Sequence, residues 1–157
     1  MMQKYSRVRL FVLFAMLTFA FGGFTFYASI VVPIGTDVLD ARTQGFVTQQ
    51  VTHRINIANS ILLIGLVWEW LASRELRSRT GNRAFIALTL LFGLGLGLLF
   101  YLHPQMDSLL DANQFSILDK DKFYFLHRVY LWTSTLQWLC LIGLIGMICQ
   151  TRPQVVK

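Results

Sequence analysis

Hydrophobic positions gather into four long runs, at about residues 9–33, 55–72, 84–103 and 123–149, with short polar stretches between them. Each run has about the 20 residues that a helix needs to cross the hydrocarbon core of a bilayer. A backbone in lipid must satisfy its own polar groups, so each run is predicted to be a helix and the four together a bundle. With their polar extensions the helices are expected at about 9–33, 44–78, 83–103 and 122–150. Pro33 and Gly35 are expected to end or bend the first. Thr43 is placed to cap the second. Gly81 and Asn82 read as a turn before the third, which should stop at Pro104. The pattern MDSLLDAN suggests a short interfacial helix over 105–113, with Met106, Leu109 and Leu110 on one face.

Composition agrees with this reading. Of 157 residues, 55% are hydrophobic and 14% charged, whereas a soluble domain carries about 25% charge. The fold class is therefore all-α, an integral membrane four-helix bundle. Four spans leave only loops and short tails. The apolar run from Leu10 to Pro33 is longer than a signal-peptide core, so it is expected to be retained as the first helix, with cleavage near Ala28 as the alternative.

The net charge of +6 does not point to nucleic acid, because the basic residues flank apolar helices. Lys4, Arg7 and Arg9 precede the first. Arg74, Arg77, Arg79 and Arg83 fill the second-to-third connection, and Arg152 and Lys157 lie in the tail. The alternate side holds Asp37, Asp40, Asp107, Asp111, Asp119 and Asp121. The excess of arginine puts both termini in the cytoplasm, in a bacterial inner membrane.

Candidate chemistry collects on the opposite side. His53, His103 and His127 all fall at non-cytoplasmic helix ends, and Arg54 and Arg128 follow two of them as interface charges. Imidazole is a common metal ligand, so the three histidines are candidates for a metal or haem, copper being the metal of interest. Equally, histidine and arginine are at home at a membrane interface, and no HxxxH, CxxC or HExxH spacing is present. No cofactor is the simpler expectation. Polar residues continue inward from the histidines: Asn56 and Ser60, with Asn59 nearby, on the second helix; Tyr130, Ser134 and Gln137 on the fourth. Such stripes should face the bundle, as hydrogen bonds between helices or as a small polar cavity.

Gly22, Gly93 and Gly97 are candidates for close helix packing. Glu69 lies near the cytoplasmic end and is expected to pair with a nearby arginine. Cys140 and Cys149, nine residues apart on one helix, point to nearly opposite faces and cannot pair.

Short motifs add a resemblance. Gly23-Phe24-Thr25-Phe26-Tyr27, Val32-Pro33, Gln44-Gly45, and Leu126-His127 followed by Gln137 resemble a domain of unknown function. That domain is shared by small bacterial membrane proteins and a eukaryotic transmembrane protein linked to drug resistance. The group is similar in turn to the membrane domain of copper-resistance D proteins. The resemblance implies a four-helix unit over most of the chain and directs attention to His53 and His127.

The functional expectation is a non-enzymatic accessory or assembly subunit, whose partners are the lipid bilayer, other membrane-protein subunits or copies of itself. One alternative is a metal-, haem- or quinone-binding module at the outer ends of the second and fourth helices. Another is a small transporter subunit acting as an oligomer.

Overall fold

The computed structural model describes residues 2–39, 41–111 and 116–150. Asp40, the last residues of the expected interfacial helix and the tail with Arg152 and Lys157 lie outside them. For Lys4 and Arg42 the backbone alone is described.

The first rod comprises α1 (Met2–Phe26), a π-helical turn (Tyr27–Val31) and α2 (Val32–Leu39). Pro33 does not end it. Proline lacks an N–H, and its ring crowds the carbonyl four residues back. The wide turn just before it, in which Val32 N–H reaches the Tyr27 carbonyl, makes room and lets the helix resume.

Helix α3 (Ala41–Ser73) starts before the expected Thr43 cap and ends in a 3-10 turn, Arg74–Leu76. Helix α4 (Arg79–Asp107) starts four residues earlier than expected. Ser78 Oγ accepts from the Gly81 N–H at 3.1 Å, so Gly81 and Asn82 lie in the first helical turn and not ahead of it. At its far end α4 runs through Pro104 for another turn.

The expected interfacial helix over 105–113 does not form. Its first three residues finish α4, and Leu110–Asp111 (β1) pairs antiparallel with Ser116–Ile117 (β2). The apolar face predicted there exists but is covered by protein: Met106 and Leu109 pack against Leu99, Leu102, Leu126 and Tyr130. Helix α5 (Lys120–Gln150) begins at an aspartate cap, with the Lys122 N–H donating to Asp119 Oδ1 at 3.1 Å.

Four helical segments, Arg7–Leu39, Thr43–Ser73, Arg79–Asp107 and Lys120–Gln150, are long and apolar enough to cross a membrane. Their outer faces carry Phe11, Phe19, Ile64, Leu94, Tyr101 and Trp132, all well exposed. Such a surface suits lipid and not water, so the chain is an integral membrane protein built as an all-α bundle.

Leu13, Leu17, Leu62, Leu66, Phe85, Phe92, Leu141 and Leu144 form its centre. Close approach falls on other glycines than the expected ones. A Cβ on Gly22 or Gly97 would meet nothing within 4 Å, and one on Gly93 would make ordinary contact with Leu63 at 3.4 Å. Of the three alternating glycines Gly95 is the tight one, where a Cβ would lie 3.1 Å from Gln137 Cγ; Gly65 against Met16 and Gly143 against Leu88 are tighter still. Gly93 and Gly97, four residues apart, share a helix face, whereas Gly95 is turned away from it toward α5.

Candidate functional site

The polar residues of α3 and α5 meet along a seam through one half of the bundle. Every third or fourth residue returns to the same helix face, which brings Asn56 opposite Tyr130. Asn56 Nδ2 donates to the Tyr130 hydroxyl at 2.9 Å, and both side chains are buried. Ser60 Oγ and Ser134 Oγ donate back to the carbonyls of Asn56 and Tyr130 at 3.0 and 2.9 Å. One turn deeper, Gln137 Nε2 reaches across to the Phe92 carbonyl of α4 at 3.1 Å. Gly95 makes this reach possible, because a side chain there would occupy the space of the glutamine stem. Next to it, Trp138 stacks on Phe21 with ring centres 5.4 Å apart and donates to Thr25 Oγ1 at 2.9 Å, which ties α5 to α1.

Between these groups lies a cavity of about 20 Å³. Its polar lining is Thr52, Asn56, Asn59, Tyr130, Ser134 and Gln137, and Phe24, Leu99 and Leu141 supply apolar walls. A volume of this kind suits about one water molecule.

The three histidines do not converge. The His53 and His103 rings lie 5.2 Å apart, whereas His127 stacks on Phe123 of its own helix at 5.9 Å. Arg54 and Arg128 are exposed. Among the described residues, no three of His, Cys, Asp and Glu are grouped to hold a metal ion.

His103 instead joins a pair that the sequence reading missed. Its Nδ1 is 2.9 Å from Asp107 Oδ2, and its Nε2 is 3.1 Å from the Gln49 carbonyl. Gln49 Nε2 donates to the other Asp107 oxygen at 2.6 Å. A carbonyl and a carboxylate both accept, so the ring donates to both only when doubly protonated. The i, i+4 spacing of His103 and Asp107 was the available signal, concealed by the expected stop at Pro104.

Comparisons with family models, curated proteins and solved structures return no match for this chain.

The opposite end of the bundle holds a buried ion cluster. Glu69 accepts from Arg9 Nε at 2.8 Å and from Arg77 Nη2 at 3.5 Å. The Arg77 guanidinium also lies 3.9 Å above the Phe85 ring. Burial pushes Arg77 below the ordinary arginine range; Glu69 pulls it back up and Arg9 pushes it down. Nearby, Trp70 Nε1 donates to Asn82 Oδ1 at 2.9 Å.

Proposed function

We propose that the chain is a non-enzymatic accessory or assembly component of a membrane complex. It sits in a bacterial inner membrane with both termini cytoplasmic. The observation that carries this reading is the Asn56–Tyr130 contact, together with the Gln137 reach to Phe92. Asn56 of α3 and Tyr130 and Gln137 of α5 direct these hydrogen bonds to the bundle itself. A drug-sized or cofactor-sized ligand needs a pocket of about 300 Å³ or more, far above the cavity of about 20 Å³ in the seam. The orientation follows from the exposed arginines Arg7, Arg74, Arg79 and Arg83 at the Glu69 end. Membership of the family with the domain of unknown function is part of the same proposal, since that family is also built from four helices.

The test is an assembly assay. Cells lacking the gene are expected to lose one membrane complex on native gels, with recovery when the chain is restored. The purified chain is expected to be colourless. An unchanged complex profile, combined with stoichiometric haem, quinone or metal in the pure protein, would replace this reading with the ligand-binding one. A cytoplasmic reporter fused between α3 and α4 is expected to be active; an external signal there reverses the orientation.

One observation favours a second reading. His53 and His103 bring two imidazole rings to 5.2 Å of each other, and imidazole suits zinc or copper. Metal analysis of the full chain and of a His53→Ala/His103→Ala variant separates the two readings. Metal retained by the parent and lost in the variant supports the metal site.

A further inference from the structure

Among the described residues, three buried side chains have polar atoms with no hydrogen-bond partner in the protein: Asn59 Oδ1, Thr89 Oγ1, and Nε and Nη1 of Arg77. They differ in what surrounds them. Thr89 lies on α4, and a hydroxyl in a helix can turn to a carbonyl of its own preceding turn. Arg77 lies between α3 and α4, outside the membrane-spanning segments, and its cation rests on the Phe85 ring. Asn59 has neither outlet. It is 6% exposed, lies within a membrane-spanning helix and lines the cavity of the polar seam.

An amide oxygen gains nothing from a cavity lined only by hydrocarbon, and lipid offers it no replacement partner. On the facing side Ser134 and Gln137 of α5 contribute a hydroxyl and an amide to the lining, and Asn56 adds an amide from α3 itself. Its volume of about 20 Å³ exceeds the roughly 10–15 Å³ that one water requires. Buried waters form about three hydrogen bonds with buried polar groups, and both the acceptor and the neighbouring polar groups are in place.

We propose that the cavity is a resident-water site, with Asn59 Oδ1 as its anchor, and that this water bridges α3 to α5 midway along the seam. The helix pair is then joined at two levels, Asn56 to Tyr130 and the water, while Gln137 ties α5 to Phe92 of α4. The proposal assigns Asn59 a positioning role and does not depend on which complex the chain assists.

The experiment uses the full-length protein in lipid nanodiscs with labelled side-chain amides. Rotating-frame magnetisation transfer from water to the Asn59 and Gln137 side-chain amides is expected, with the sign that marks a bound water and not chemical exchange. In Asn59→Leu the Gln137 transfer is expected to vanish while the Gln137 amide signal itself remains. If Asn59→Leu does not elute as a single folded species, Asn59→Ala gives the same readout. Absence of transfer to both side chains in the parent protein overturns the proposal. Transfer to Gln137 that survives loss of the Asn59 amide also overturns it.

Discussion

At one end of the bundle a carboxylate is buried between two guanidiniums; at the other a half-exposed carboxylate ties a glutamine to a histidine. The Glu69 and Arg77 side chains are 4% and 3% exposed, whereas that of Asp107 is 37% exposed. Both clusters link α3 to another element, and each is held by two or three polar contacts. They differ in what is left when one member is removed. Taking away Glu69 leaves two cations, one of them fully covered and resting on Phe85. Taking away the Asp107 charge changes a side chain that water reaches, beside a His103 ring that is 12% exposed. Burial, not the number of bonds, sets how much each cluster matters to the fold.

The largest effect is therefore expected for Glu69→Gln, about 3–5 kcal/mol of stability, as for an uncompensated buried charge. Denaturant unfolding in a mild detergent measures it. A loss no greater than that of Asp107→Asn would break the contrast between the two ends. Arg77→Met sharpens it further. Burial already disfavours the charged guanidinium, and Arg9 alone still satisfies Glu69, so this variant is expected to cost far less than Glu69→Gln. A base whose pKa is lowered by folding binds fewer protons than in the unfolded chain between the two values, so stability rises with pH there. For Arg77 that window lies in the alkaline range below its ordinary value. Unfolding measured around neutral pH should therefore show no slope that Arg77→Met removes.

Next in size is the seam. Asn56→Leu takes one donor from the buried Tyr130 hydroxyl, which keeps Thr52 beside it, at about 1 kcal/mol. Adding Tyr130→Phe should return part of that loss, because both ends of the bond are then apolar. A double-mutant cycle by thermal unfolding reads the coupling, and purely additive losses would show that the two side chains act separately. Gln137→Leu is expected to cost about 0.6–1.7 kcal/mol, the usual range for a hydrogen bond between membrane helices. The smallest change is expected for Asp107→Asn, below about 1 kcal/mol because the side chain at 107 is itself 37% exposed.

The legible parts of this molecule are those fixed by period. Four runs give four spans. The spacing of Tyr130, Ser134 and Gln137, matched by Asn56 on the second run, marks the two faces that meet. Contacts that depend on how neighbouring elements relieve a local conflict were less legible. Pro33 and Pro104 both read as stops, yet one follows a widened turn and the other lies in the final turns of α4. That extra turn of α4 carries Asp107 to His103 and Gln49, so misplacing the helix end also concealed the contact. The alternating glycines at 93, 95 and 97 offer two packing surfaces, 93 with 97 and 95 opposite, and only the position of α5 selects Gly95. Glu69 pairs with Arg77, eight residues along the chain, as its neighbourhood suggests; its closer partner, Arg9, comes from a different helix and leaves no local trace.

The π-helical turn at Tyr27–Val31 has a rotational consequence. Each residue added to a regular helix advances the side-chain direction by about 100°, so one extra residue in a turn shifts the phase of everything that follows. Before the shift, the rod presents Leu13, Leu17 and Thr25 to its neighbours, the last receiving Trp138 from α5. After it, Gly35 is turned toward Gln44 of α3, whose side chain fills the space a Cβ would take. The Tyr27 hydroxyl, at the point of change, donates to Thr48 of α3 at 3.1 Å. The rod thus stays against α3 along its length, through Arg9 and Glu69 at one end and Gly35 and Gln44 at the other, while Thr25 reaches α5 between them.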